Sequence, residues 1–106
     1  MDITLTKLAD KFLCSTYKVF LERRKQNFSL QTAKQFKNTF EEREPFILEF
    51  NLDDIPDILN ELSSHKLIKV WISGSFVLET EGIVYMENRF KNGLKEVTDF
   101  IAKFIP

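Results

Sequence analysis

The sequence predicts a single α+β domain that is mostly helical. A chain of 106 residues suits one hydrophobic core rather than two. Eleven Phe residues and a hydrophobic content of 43% supply that core, while 29% charged residues are typical of a soluble surface. Apolar residues recur with helical spacing through most of the chain and with strand-like spacing around residues 67–78. Several helices and one short β-hairpin are therefore expected within residues 1–106.

A long first helix is predicted over residues 3–26, which contain neither Gly nor Pro. Its apolar side is unusually wide, because four apolar residues fall outside the main stripe and form what we call the outer flank: Ile3, Cys14, Tyr17 and Leu21. Two explanations are open at this point. Either a later element of the same chain covers the outer flank, or a second copy of the chain does.

A second helix is predicted over residues 30–43, with Ser29 as its N-cap. Its inner side would carry Leu30, Ala33, Phe36, Lys37 and Phe40. Pro45 should end this helix, because the residue before a proline is pushed out of the helical region. Residues 46–50 alternate weakly between apolar and polar, which predicts a short strand.

A third helix is predicted over residues 54–64, where Pro56 fits only in the first turn. Its inward residues would be Ile55, Ile58, Leu59 and Leu62. Two runs rich in β-branched and aromatic residues then flank Ser73-Gly74-Ser75, which predicts a hairpin over residues 67–78.

The C-terminal third predicts two further helices. Thr80 is the expected cap of the first, which should break at Lys91-Asn92-Gly93. Residues 94–105 form an amphipathic final helix, since Leu94, Val97, Phe100, Ile101, Phe104 and Ile105 share one arc.

Residues 54–86 resemble part of the bacterial winged helix-turn-helix family. In that family a pattern close to L-x-x-L-x-x-x-G-L-I, a turn and then L-T-x-x-G-x-x-Y covers the third helix, the wing and the next helix. The matching residues are Leu59, Leu62, Leu67, Ile68, Leu78, Thr80, Gly82 and Tyr85. His65-Lys66 stands where the family usually has Gly, so one of these two residues should adopt the left-handed conformation.

The resemblance implies a small winged helix DNA-binding regulator or accessory factor, and the sequence leaves open whether the DNA is duplex or single-stranded. Heavy use of Lys, Phe, Ile and Asn suggests a low-GC bacterium or its mobile element. The charge pattern decides which surface would meet DNA, because all six ionisable residues in 44–63 are acidic and would repel phosphate. The predicted DNA-contacting residues are therefore the cations outside that stretch: Arg23, Arg24, Lys25, Lys34, Lys37, Lys66 and Lys69.

Two further surfaces are predicted. A homodimer interface would combine the outer flank with the final helix, using Ile3, Cys14, Tyr17, Leu21, Phe100 and Phe104. The alternative function is a protein-protein interaction module on the same scaffold, in which the acidic residues between Asp53 and Glu61 dock onto a basic protein and no DNA is bound. The cations would then be an ordinary solvated helix end and helix face.

Enzymatic activity, a metal and a cofactor are not expected. The single histidine, His65, has no nucleophile spaced to work with it, and the single cysteine, Cys14, lies among Leu and Phe. Three glycines leave no phosphate-binding loop. No stretch has the roughly 20 apolar residues of a membrane span, and no apolar leader follows the N-terminus, so a cytoplasmic location is expected.

Overall fold

The computed structural model describes residues 3–104 and confirms a mostly helical α+β fold. Its helices are α1 Lys7–Lys25, α2 Leu30–Ala33, α3 Ile55–Ser64, α4 Thr80–Arg89 and α5 Leu94–Ala102. Its strands are β1 Gln35–Phe36, β2 Ile68–Val70 and β3 Phe76–Leu78, which form one antiparallel sheet in the order β1-β3-β2. Two short 3-10 helices, Pro45–Glu49 and Leu52–Asp54, link β1 to α3.

Helix α1 starts later than predicted, because Thr6 caps it. The Thr6 hydroxyl accepts a hydrogen bond from the Ala9 N–H at 3.3 Å. The carboxylate of Glu61 on α3 accepts from both the N–H and the hydroxyl of Thr6, at 2.7 and 2.8 Å. Glu61, predicted to lie on a free acidic face, therefore joins the start of α1 to α3.

The predicted helix over residues 30–43 is wrong. Only one turn forms, as α2, and the chain then extends into β1 and pairs with β3. Extension buries Phe36, whose ring stacks on that of Phe76 with centroids 5.2 Å apart. A continued helix would leave the edge of β3 unpaired. Phe40, predicted to face inward, is almost fully exposed at the tip of the next loop.

The strand predicted over residues 46–50 is also wrong. These residues form most of the first 3-10 helix, with Pro45 in its first turn and Ile47 buried. Phe46 and Phe50 both pack edge-on against Phe12 of α1, with ring centroids 5.4 and 5.3 Å away. These residues form a tight helical turn that is buried on one side, and the third strand of the sheet is β1 instead.

Helix α3 and the hairpin are confirmed. The four inward residues of α3 are buried, and Pro56 lies in the first turn. The hairpin turn requires Gly74, since its φ is +92° and an added Cβ would lie 2.9 Å from the Asn38 carbonyl oxygen. The hairpin of residues 68–78, where the resemblance predicts a wing, therefore packs closely against the loop that follows β1.

The C-terminal helices also follow the predicted pattern, with one change at the start. Glu79 occupies the cap position of α4, and Thr80 is the first helical residue rather than the cap. The chain breaks between Phe90 and Gly93, and α5 ends at Ala102. Ile105, the predicted end of the last helix, lies outside the described residues.

The core is centred on α1, which contacts α2, α3, α4 and α5. Asp10 of α1 forms a bidentate ion pair with Arg89 of α4. The Arg89 guanidinium also lies over the rings of Phe90 and Phe100, 4.9 and 4.6 Å from their centroids. This residue therefore ties α1, α4 and α5 together.

Candidate nucleic-acid interface

Arg23 is a structural residue rather than a free cation. Its guanidinium donates to the Gln35 carbonyl at 2.6 Å and pairs with Glu44 at 2.6 Å. It also lies 4.7 Å from the ring centroid of Phe36. These contacts fix β1 to the end of α1 and engage the guanidinium within the chain, while a phosphate contact of Arg23 stays a prediction. Sequence reasoning missed Glu44 as its partner.

The other predicted cations differ in how they are held. Lys37 pairs with Glu42 at 2.5 Å, and this hydrogen bond raises the pKa of the Lys37 ammonium. Within residues 3–104, five predicted cations have no carboxylate within ion-pair distance: Arg24, Lys25, Lys34, Lys66 and Lys69. Arg24 donates to the Phe28 carbonyl at 3.1 Å, which holds its side chain at the end of α1.

The sheet brings polar and aromatic side chains onto one outward face. Gln35, Val77 and Lys69 lie side by side across β1, β3 and β2, because Val77 is the partner of both other residues in the register. The adjacent row, which contains Phe36 and Phe76, points into the core. Alternation places Trp71, two residues after Lys69, on the same side as Lys69.

Trp71 lines two grooves. Its side chain is 48% exposed, and the Lys69 ammonium lies 5.9 Å from its ring centroid. The first groove, of about 730 Å³, runs between the end of α3 and the start of α4 and contains Lys66 and Lys69. Its opposite wall carries Glu79 and Glu81. We call it the wing groove.

Lys66 enters the wing groove from a left-handed backbone conformation, with φ of 61°. It follows the end of α3, where the Lys66 N–H donates to the Ser63 carbonyl at 2.9 Å and the Leu67 N–H donates to the Leu62 carbonyl at 3.1 Å. This pair of hydrogen bonds is the Schellman motif, which favours Gly at the position of Lys66. The expected left-handed residue in the His65-Lys66 pair is confirmed.

The second groove, of about 470 Å³, lies on the other side of Trp71 and is lined by Phe28 from the end of α1. We call it the Trp71 groove. Sequence reasoning gave Trp71 no role. The signal that could have placed Trp71 beside Lys69 was its position two residues later, since residues i and i+2 of a strand lie on the same face.

The predicted dimer residues do not form one exposed surface. Cys14 and Tyr17 are buried in the monomer at 0% and 2% exposure, because α4 and α5 pack over that side of α1. Burial raises the pKa of the Cys14 thiol to about 12. The other four residues, Ile3, Leu21, Phe100 and Phe104, are half-buried. Of the two explanations for the outer flank, cover by later elements of the same chain is the one observed.

The predicted acidic surface is divided between structural and exposed residues. Glu61 accepts two hydrogen bonds from Thr6, whereas Asp53 and Asp57 are exposed. The Asp53 N–H donates to the side chain of Asn51 at 2.9 Å, which explains the local turn without a metal. Across residues 3–104, no three His, Cys, Asp or Glu side chains come together in a way that could hold a metal ion.

No helix within the described part of the chain has the length and apolar character needed to cross a bilayer. The candidate interface thus comprises two grooves that share Trp71 in their linings, with Lys66 and Lys69 in one of them. No protein-family model, curated protein or solved structure matches this chain.

Proposed function

We propose that this protein is a small winged helix DNA-binding regulator or accessory factor that contacts duplex DNA with its wing groove. The element order supports the proposal, since α3 leads directly into the β2–β3 wing and β1 completes the sheet beside β3. In this arrangement Lys66 and Lys69 would meet phosphates at the base of the wing. The wing tip would present Ile72, which is fully exposed.

The observation that carries the proposal is Lys66 in its left-handed conformation. A non-glycine residue there costs about 1 kcal/mol relative to Gly. Strained positions of this kind tend to occur at functional sites. A phosphate contact accounts for a lysine at a position where Gly would make the fold more stable, because the ammonium lies in the same groove as that of Lys69.

The test is a titration of a short fluorescent duplex by anisotropy, at salt concentrations from about 50 to 200 mM. The wild type should bind with a micromolar dissociation constant at the low end and weaken steeply as salt rises. The variant K66G/K69A should bind more weakly, with its salt slope reduced by about 1.8 for the two lost phosphate contacts. Unchanged affinity and slope in K66G/K69A would refute the assignment.

Lys95 provides the matched control, since it is exposed on α5, which packs against α1 away from the wing groove. K95A should keep at least most of the wild-type affinity. The K66G change also separates folding from binding, because it relieves the left-handed strain and should not unfold the protein. Weaker binding by a variant of equal or higher stability is then a direct effect on the contact.

The homodimer is also part of the proposal, but the buried Cys14 and Tyr17 do not contribute to it. Phe100 and Phe104 are half-buried, and their ring centroids lie 5.4 Å apart. The exposed parts of these two rings would contact a second copy. Sedimentation at tens of micromolar measures this directly. A monomer across that range would contradict the dimer and leave the DNA contact standing.

The alternative is a protein-interaction module, and one observation favours it. Leu48 and Leu52 are 64% and 46% exposed beside the acidic residues Glu49 and Asp53. Apolar side chains surrounded by carboxylates suit a basic and apolar partner surface. Absence of any anisotropy change at micromolar protein and low salt would favour this alternative over DNA binding.

A further inference from the structure

The Trp71 groove has two aromatic walls. The rings of Trp71 and Phe28, 48% and 41% exposed, come from the wing and from the end of α1. Beneath them lie Phe36 and Phe76, which stack on each other in the core. Two large aromatic side chains left half-exposed on one groove offer stacking surface to a flat ligand.

Both walls are held by backbone hydrogen bonds. Asn27 adopts a left-handed conformation with φ of 69°, and the Phe28 N–H donates to the Arg23 carbonyl at 3.0 Å. The Arg24 guanidinium then donates to the Phe28 carbonyl. On the other wall, the Trp71 N–H donates to the Ser75 carbonyl at 2.9 Å. The groove is therefore formed before any ligand arrives.

The rim of the groove is polar and close to neutral. Gln35, Thr32 and Ser75 offer amide and hydroxyl groups, and the ionisable residues are Arg23, Lys37 and Glu44. Arg23 pairs with Glu44, and Lys37 pairs with Glu42 on the adjacent loop, so these charges balance. Lys69 lies on the far side of Trp71.

We infer that the Trp71 groove binds an unpaired nucleobase, which stacks on Trp71 and Phe28 while the adjoining strand passes Lys69. This inference rests on the proposed DNA contact through the wing groove and specifies its preferred substrate, DNA with an unpaired base. Aromatic faces combined with hydrogen-bonding groups suit a base, which has a flat ring and a polar edge. A wholly aliphatic ligand would form no hydrogen bonds with the polar groups of the rim.

The sequence provides a direct reporter, because Trp71 is the only tryptophan in the chain. The experiment compares a fully paired duplex with the same duplex carrying one bulged thymine, following affinity by anisotropy and Trp71 emission by fluorescence. The bulged duplex should bind about tenfold more tightly, as one stacked base typically provides. It should also quench Trp71, whereas the paired duplex should leave the emission nearly unchanged.

The variant F28L keeps an apolar side chain at the end of α1 but removes the flat ring. It should lose most of the preference for the bulged duplex while keeping the wild-type affinity for the paired one. F40L is the matched control, because Phe40 is exposed on the loop outside the groove lining and its substitution should leave the preference intact.

Equal affinity for the two duplexes without quenching would overturn the inference and leave the wing contact standing. Equal loss of the preference in F40L and F28L would also overturn it, since the Trp71 groove would then have no special role. Binding to neither duplex would refute both the inference and the proposed function, and would point to a protein ligand instead.

Discussion

Gly82 provides the sharpest test of the packing described here. It lies in α4, and an Ala at an ordinary helical position is about 1 kcal/mol more stable than Gly. Helix propensity alone therefore predicts that Gly82→Ala stabilises the protein. The structure predicts the opposite, because a Cβ at Gly82 would lie far inside 3.0 Å of the Leu67 carbonyl oxygen and 3.2 Å from the Leu78 Cδ1.

The loss of unfolding free energy in G82A depends on which atoms must move to make room for the added Cβ. The obstacle is backbone, and the Leu67 carbonyl already accepts the Glu79 N–H at 3.0 Å. Shifting α4 outward would lengthen that hydrogen bond, which contributes about 1 kcal/mol. Overpacking of a well-packed site adds about 1–3 kcal/mol. After subtracting the propensity gain of about 1 kcal/mol, G82A should lose about 2 kcal/mol of unfolding free energy.

The assay is urea denaturation followed by circular dichroism. With a typical slope of about 1–3 kcal/mol per molar urea, the midpoint of G82A should fall by roughly 1 M. Asn88 gives the control, because it is exposed on the same helix and N88A should be neutral or up to about 0.5 kcal/mol more stable. A G82A protein as stable as the wild type would show that α4 does not approach Leu67 as described.

Three other predictions concern stability. Lys66→Gly should raise the unfolding free energy by about 0.5–1 kcal/mol in the same urea assay, because Gly relieves the left-handed strain; a loss would contradict the Schellman ending of α3. Arg89→Met should lower the unfolding free energy by about 2 kcal/mol, since Asp10 loses two charge-assisted hydrogen bonds. A double-mutant cycle with Asp10→Asn should show a coupling energy of about 1 kcal/mol or more, and additive effects would argue against the ion pair. The unfolding free energy should fall as pH rises above 9, because the Cys14 thiol ionises near pH 9 in the unfolded chain while burial holds its pKa at about 12 in the folded protein. This contribution approaches about 1.4 kcal/mol per pH unit, and Cys14→Ala should lack this contribution. A C14A slope equal to that of the wild type would contradict the burial of this thiol.

Several features could be predicted from the sequence because their signals are local. The spacing of Ile55, Ile58, Leu59 and Leu62 predicts the inward side of α3, and Pro56 sets its first turn. A Gly-centred turn between two β-rich runs predicts the hairpin. The absence of Gly after α3 predicts a strained residue, and Lys66 is that residue.

The candidate site was predicted only in part. Lys66 and Lys69 do lie together in one groove, as their positions beside the predicted hairpin suggest. Arg23 does not join them, because its partners Gln35 and Glu44 come from elements that the sequence pattern placed elsewhere. Because residues 30–43 were predicted as one helix, the sequence indicated neither the strand β1 that Arg23 contacts nor the groove beside Phe28.

By itself, the sequence determined the fold class, the positions of α1 and α3 to α5, and the hairpin, since each depends on periodicity and turn residues within a short window. The tertiary structure alone decided that residues 35–36 form a strand, because the partner that satisfies their backbone groups lies on β3, far along the chain. It also decided that α4 and α5, rather than a second copy, cover Cys14 and Tyr17. Both outcomes depend on contacts between distant residues, which local residue spacing does not encode.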